Sequence, residues 1–483
     1  MVACNRLNPM DATLLYLESP MYSSTIGLIC RFEGPLAFDA YVQDFRCRRI
    51  EKLQRFRQVI VPVPFTLAHP SWEDDPGFCL DKHLRHVRLE HPGSEEQLRE
   101  VSNRVLEERF DFTRSPWNIV FVDGLHDGTC VLIFHMHHSI TDGMGFLKIL
   151  QAVFDEGPEP FVTTGSGTGL ATPRQLPGAF ERTRAAFREW FANRSRSRRG
   201  GETALEAKER KLREKKQLLA FNSAMKELFT AKGIHLPFNA PLSGRIHHSS
   251  VVFDLDELRG IARAVPCTVN DVLLAVLAGA IDRLAHELAL DVSGTCCRVY
   301  QAANTRAAHD AESWGNRLSF IPALLPLGLR DPRERLCAIS AYTRKTKENG
   351  VREAADRIIR TFQAATPPPL AKLGVRVAFS QFAQALGRLN KRPPVFNLYM
   401  SNVRLPQFNT FLGGKRMTEL VGLAPLVPNT GLTLTAAAFD KCVSVGILAD
   451  AVSLPDVDGF AAKLTAAYLE LRSGLHQEAV STP

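Results

Sequence analysis

The chain has 483 residues, 45% of them hydrophobic and 23% charged, a composition that excludes general disorder and provides core material for two or three domains. Its formal net charge is +8, and residues 181–232 alone hold 15 Lys/Arg against 7 Asp/Glu, so the basicity is local. No nucleic-acid motif accompanies that patch, which argues against nucleic acid and leaves an anionic lipid surface or a solvated helix.

The ten cysteines are scattered without a C-x-x-C pair, as in reduced cytoplasmic proteins. The N-terminus lacks an apolar run of signal-peptide length, and the most apolar stretch, Val272 to Ile281, is about half a membrane span. The expected location is cytoplasmic, with any membrane or lipid-inclusion contact peripheral.

In chain order, Asp11 reads as the N-cap of a short helix over Ala12 to Leu17, followed by a β-like stretch from Thr25 to Phe32. Phe38 to Arg55 has the periodicity of an amphipathic helix, and Gln58 to Val63 reads as a strand ending in prolines. Trp72 to Pro76 reads as a loop before a strand at His83 to Arg88, and His83 and His86 as packing or surface residues. Ser94 to Glu108 is a predicted helix. Trp117 then leads a strand over Ile119 to Val122 and is expected to pack beneath it.

Cys130 to Phe134 predicts a buried strand running into His135-Met136-His137-His138-Ser139-Ile140-Thr141-Asp142-Gly143-Met144. Alternation puts His135 and His137 on one face of the strand and His138 on the other, so one imidazole is free to face a cavity. A histidine there suits general-base work, since its ordinary pKa lies near neutrality. Adjacent histidines on opposite faces cannot easily share a metal ion, so no metal site is expected. Asp142 is expected to hold the turn or to pair with a buried arginine, and Gly143 to relieve backbone strain.

From Gly157 the composition shifts to Gly165, Gly167, Gly169, Pro173 and Pro177, a linker with no phosphate-binding pattern. A basic helix near Phe180 to Ala192, the Arg194 to Arg199 cluster and a charged helix over Ala204 to Thr230 follow. In the second half His247-His248 repeats the doublet without Asp-Gly, at the start of a strand over Ser249 to Phe253. Asp254 is a plausible cap for a helix over Leu255 to Ala264, and Thr268 to Asp271 for the apolar helix Val272 to Leu284. Strands are expected at Arg298 to Ala303, Phe320 to Leu327 and Pro393 to Leu398, and helices at Asp331 to Lys347 and within Ala354 to Leu386. A hairpin turning at Asp440-Lys441 and a helix over Asp456 to Leu471 complete the order. The domain ranges read from this pattern are 1–156, a linker with crossover helices over 157–240, and 241–483.

His137-His138-Ser139-Ile140-Thr141-Asp142-Gly143 resembles the HHxxxDG motif of CoA-dependent acyltransferases, and further matches single out one family. Pro241-Leu242-Ser243-Gly244-Arg245, Asn270-Asp271-Val272-Leu273-Leu274-Ala275, Gly315-Asn316 and Ser401-Asn402-Val403 resemble motifs of the bacterial wax ester synthase/diacylglycerol acyltransferase family, the likeness running from about Asn8 to Leu471. One segment departs: the family's Pro-Leu-Trp is here Ser115-Pro116-Trp117.

The resemblance implies two chloramphenicol-acetyltransferase-like α/β domains with mixed sheets and a tunnel between them. It implies an O-acyltransferase moving a long-chain acyl group from acyl-CoA, a substrate rather than a cofactor, to a diacylglycerol or fatty alcohol. His138 would be the general base, with His137 and Asp142 orienting the turn and Gly143 leaving room for the thioester. Asn270, Ser401 and Asn402 would line or brace the cavity, with Asp271 and Trp117 structural and Arg306 a partner for Asp142. The alternatives are another HHxxxDG enzyme, of condensation or polyketide-associated type, and a non-catalytic lipid-binding protein. An anionic membrane or lipid-droplet surface meeting residues 181–232 is a further expected partner.

Overall fold

The computed structural model describes residues 5–162, 175–196, 204–304, 315–316, 318–380, 393–404 and 410–481. Gly165, Gly167, Gly169, Arg198, Arg199 and Arg306 lie outside the described residues. The first half runs α1 (Pro9–Leu17), β1 (Thr25–Phe32), α2 (Phe38–Asp44), β2 (Gln58–Val61), β3 (Ser71–Asp74), β4 (Leu84–Arg88), α3 (Glu95–Glu107), β5 (Trp117–Asp123), β6 (Cys130–His137) and α4 (Gly143–Val153). The crossover helices are α5 (Ala179–Arg196) and α6 (Ala204–Thr230). The second half runs β7 (Ile246–Asp254), α7 (Leu255–Ala264), α8 (Val269–Glu287), β8 (Cys296–Asn304), β9 (Leu318–Pro326), α9 (Pro332–Glu348), α10 (Val351–Ala365) and α11 (Pro368–Ala378). It closes with β10 (Leu398–Arg404), β11 (Phe411–Leu412), β12 (Lys415–Leu423), β13 (Leu432–Phe439), β14 (Cys442–Asp450) and α12 (Val457–Ser481).

These strands build two six-stranded sheets, ordered β11-β12-β1-β6-β5-β4 and β7-β14-β13-β10-β8-β9, with β2 and β3 a separate ribbon. Both large sheets are mixed: β4 runs parallel to β5, and β10 runs parallel to β8 and β13. The sequence expectation of mixed α/β layers is met. All eight residues of β6 are buried because it is a central strand covered on both faces. One face packs Val131 and Ile133 against Val101 and Val105 of α3, and the other packs Leu132 and Phe134 among Phe121, Phe32 and Phe154. In the second half, α8 buries Val272 to Ile281 without a break, so the most apolar stretch of the chain is a core helix.

A division of the chain at residue 241 does not separate the sheets. β12, from the second half, pairs with β1 in the first sheet, with Gly27 opposite Leu423 and Leu28 opposite Gly422. On its other edge it pairs with β11, and it also touches the second sheet. The Ser444 hydroxyl donates to the Leu420 carbonyl, and the Ala424 N–H donates to the Thr435 hydroxyl at 3.1 Å. A β-carbon at Gly446 would sit 2.1 Å from the Gly422 carbonyl oxygen, so glycine permits this close approach of two backbones.

Several local expectations need correction. Helix α1 begins at Pro9, and its N-cap is Asn8, whose side chain accepts from the Asp11 N–H; Asp11 itself is buried in the first turn and used elsewhere. Phe38 to Arg55 is not one helix: α2 ends at Asp44 and passes into a π turn at Phe45–Arg49 and two 3-10 turns. There the successive residues Arg48 and Arg49 both reach Asp44 and Asp155, with Arg49 at 2.7 and 2.6 Å, a convergence that a regular α turn does not allow. Trp72 lies in strand β3 opposite Ile60 rather than in a loop. Strand β10 begins at Leu398 instead of ending there, because Pro393 and Pro394 lack N–H donors for a ladder. Helix α8 starts at Val269, three residues early, under a capping box between Thr268 and Asp271.

Candidate active site

The histidine run leaves the sheet where expected. His135 and His137 are fully buried at the end of β6, whereas His138 stands one residue beyond the strand and keeps partial exposure. His135 stacks on Phe110 at 4.5 Å between ring centres, and burial pushes its pKa down to about 3, so it is a neutral packing group. His137 lies edge-on to Phe112. Its Nδ1 accepts from the Ser139 N–H at 3.2 Å and lies 2.6 Å from the Ser139 hydroxyl. On the other side of the ring, Nε2 faces Glu18 at 3.4 Å. His137 is thereby a fixed part of the turn.

His138 differs. It lines a cleft of about 580 Å³ between the two sheets. The walls are Ile26, Gly27 and Leu28 of β1, Phe146 of α4, Ser401 and Val403 of β10, Leu420, Gly422, Leu423 and Ala424 in and just after β12, and Thr435 and Ala437 of β13. Nearly all of them are apolar, and Ser401 and Thr435 supply hydroxyls. Burial pushes the His138 pKa below its ordinary value, while backbone carbonyls and the Asp142 charge offset part of that effect. A second cleft, of about 570 Å³, shares Gly27 and Leu423 with the first and is edged by Arg109 and Arg245.

Asp142 is buried and caps α4: its carboxylate accepts from the Gly145 N–H at 3.0 Å and its carbonyl from the Phe146 N–H at 2.9 Å. The turn-holding role expected for it is seen, and its expected pairing with Arg306 falls outside the described residues. Gly143 opens α4, and the room beside it is likewise outside the described residues. Ser401 reaches the His138 cleft; its neighbour Asn402, on the alternate face of β10, donates to Asn270 at 3.2 Å. Asn270 in turn donates to Gln301 at 2.9 Å, so Asn270 and Asn402 brace α8 against the sheet and are not among the residues lining the cleft. Asp271 serves the capping box and accepts from the Thr343 hydroxyl at 2.7 Å. Trp117 is buried between Phe56 and His83 and donates from Nε1 to the Phe56 carbonyl at 2.8 Å. His248 of the second doublet bonds Asn103 at 2.6 Å and lies outside the cleft lining. Among the described residues, no three His, Cys, Asp or Glu side chains are placed to hold a metal ion.

Four residues around the turn were not singled out for function from the sequence. Glu18, just after α1, accepts from the Ser23 hydroxyl and the Ser24 N–H as it faces His137. Ser24 accepts the His138 N–H at 2.7 Å. Asp11 and Asn316 meet beside the His138 carbonyl. The Gly315-Asn316 match was the available signal, but it lies about 300 residues from Asp11 in the chain.

Comparisons with known proteins agree with this geometry. Residues 7–273 match the wax ester synthase/diacylglycerol acyltransferase catalytic domain and residues 314–472 match the C-terminal domain of the same family. A Mycobacterium tuberculosis protein provisionally named a diacylglycerol O-acyltransferase is 26% identical over 459 residues, covering 93% of each chain. In fold, the chain is similar to the wax ester synthase/diacylglycerol acyltransferase from Marinobacter aquaeolei VT8, with a TM-score of 0.67, 19% identity and coverage of 98% of this chain and 100% of that one. It is also similar to the first condensation domain of the calcium-dependent antibiotic synthetase, with a TM-score of 0.59, 13% identity and coverage of 98% and 96%. With a partly exposed histidine after a buried strand, an apolar cleft between two mixed sheets and domain matches across both halves, the chain belongs to the wax ester synthase/diacylglycerol acyltransferase family.

Proposed function

We propose that the protein transfers a long-chain acyl group from acyl-CoA to the hydroxyl of a diacylglycerol or fatty alcohol, releasing CoA, with His138 as general base. The observation that carries this reading is the setting of His138, the partly exposed histidine of the motif, in an apolar cleft between the sheets. Its lowered pKa leaves the ring neutral near pH 7 and able to accept a proton. The acceptor oxygen attacks the thioester carbonyl as its proton passes to His138, the carbon–sulfur bond breaks, and the proton returns to the departing thiolate. Base assistance of this kind supplies roughly 10²–10⁴-fold, so orientation in the cleft and hydroxyls such as Ser401 and Thr435 must supply the rest.

The test is palmitoyl-CoA with hexadecanol or diolein in parallel, following free thiol release, with His138→Ala as the reference. Ester formation that disappears in the variant is the expected result. Transfer that requires a carrier-protein-bound acyl group would favour a condensation-type enzyme, and transfer unaffected by the substitution would leave a lipid-binding role.

The reading includes work in the cytoplasm at the surface of a membrane or lipid inclusion, where such acceptors reside. No single helix among the described residues is long and apolar enough to cross a membrane. Exposed Phe180 and Phe187 on the basic helix α5, together with exposed Leu370, Leu373 and Val377 on α11, support peripheral contact. Co-sedimentation with vesicles containing anionic phospholipid is expected, and equal binding to neutral vesicles at high salt would argue against the basic helices as the contact.

A further inference from the structure

The backbone of His138 is held in an unusual way. Its N–H donates to the Ser24 carbonyl at 2.7 Å, which extends the β1–β6 ladder by one residue beyond the Thr25–His137 pair. In an antiparallel ladder such a pair exchanges two hydrogen bonds, so the Ser24 N–H would ordinarily return to the His138 carbonyl. It does not, because Glu18 takes it. The His138 carbonyl instead accepts from the side-chain Nδ2 of Asn316, at 2.6 Å, a residue from the second half of the chain.

Asn316 is itself fixed on several sides. Its Nδ2 and its backbone N–H both donate to Asp11 Oδ1, at 2.6 and 2.9 Å, and its carbonyl accepts from Asn8 Nδ2 at 3.1 Å. Asp11 and Asn316 are both buried. The preceding residue, Gly315, has φ +100°, and a β-carbon there would lie 2.8 Å from both Asn8 Nδ2 and Asp11 Oδ2, so the chain is pressed against the first turn of α1. Helix α1 therefore holds the turn at both ends, through Glu18 and Ser24 on one side and through Asp11 and Asn316 on the other.

We propose that Asn316 is a positioning residue for the transfer reaction: it replaces a sheet partner at the His138 carbonyl, with Asp11 holding it in place, and so makes the orientation of the base depend on the second half of the chain. The inference rests on the acyl-transfer reading of the same site. Its physical basis is that the His138 peptide lies outside the regular sheet, where rotation of the peptide would swing the imidazole away from the cleft. A displacement of about 1 Å at a reacting group costs on the order of 100-fold in rate. Asn316 touches no reacting atom in this scheme; it acts through His138.

The experiment uses the full chain and compares wild type, His138→Ala, Asn316→Ala and the exchange Asp11→Asn/Asn316→Asp, measuring kcat, KM for palmitoyl-CoA and for the acceptor, and thermal midpoint. Asn316→Ala is expected to lose about 100-fold in kcat while both KM values stay within about twofold, since the loss is of orientation rather than of substrate contact. The exchange keeps a hydrogen-bonding pair between positions 11 and 316 but puts an acceptor against the His138 carbonyl. It should regain thermal stability relative to Asn316→Ala without regaining kcat. Wild-type kcat in Asn316→Ala beside an inactive His138→Ala would overturn the inference and leave the acyl-transfer reading standing. Recovery of kcat by the exchange would also overturn it, reducing the pair to a latch between halves. If Asn316→Ala does not fold, the exchange carries the same decision alone. Failure of the wild type to release thiol would sink the reading and the inference together.

Discussion

Replacing Gly446 by alanine tests whether the cleft depends on the close approach of β12 to the second sheet. The added methyl would lie 2.1 Å from the Gly422 carbonyl oxygen, and that oxygen belongs to backbone already paired with β1. A carbon–oxygen contact near 3.2 Å is needed, so the strands must separate by about 1 Å, and overpacking of this kind costs roughly 1–3 kcal/mol. The same movement stretches the Ser444–Leu420 hydrogen bond, which adds about 1 kcal/mol. Because Leu420 and Gly422 also line the His138 cleft, the variant should lose activity as well as stability. The assay is thermal unfolding followed by thiol release, with Gly157→Ala, outside any helix, as control, since a β-carbon there meets nothing within 4 Å. A Gly446→Ala protein that melts with wild type and the control would refute the claim that two backbones are in contact at this point.

Other expectations follow from the same geometry. His138→Ala should lower kcat by roughly 10²–10⁴-fold with little change in thermal stability, and activity within threefold of wild type would remove the general base from the scheme. Because the His138 pKa lies below its ordinary value, the neutral base is already present at pH 7, and kcat/KM should be flat there and fall as pH drops through a value under 6.5. An acid limb centred above pH 7 would contradict this. Asp142→Ala removes the cap of α4 and should destabilise the protein by about 1–2 kcal/mol in denaturant titration. Ser401→Phe should raise KM for long-chain substrates by filling the cleft, whereas Asn270→Ala, at a position that bonds Gln301 and Asn402, should affect stability more than KM. The reverse ranking would mean that Asn270 contacts substrate.

Much of this molecule was legible in the order of its residues, because the relevant interactions are local. The run Cys130 to His137 is apolar enough to be a central strand, Asp254 caps the helix after it, and Asp440-Lys441 turns a hairpin, all set by neighbours within a few positions. Alternation likewise put His137 and His138 on opposite faces, although it is the structure that ends the strand at His137 and leaves His138 one residue beyond. The rest was decided only by chain crossing over chain. That β12 belongs to the first sheet could not be read from its own alternation, since a strand's pattern states which face is buried but not which strand lies beside it. Asp11 looked like a helix cap because caps are common near helix starts, yet Asn8 caps α1 and the Asp11 carboxylate is turned toward Asn316, 305 residues away. A polar group's partner is fixed by which buried donors and acceptors the fold leaves unmatched, and that balance exists only once both halves have come together.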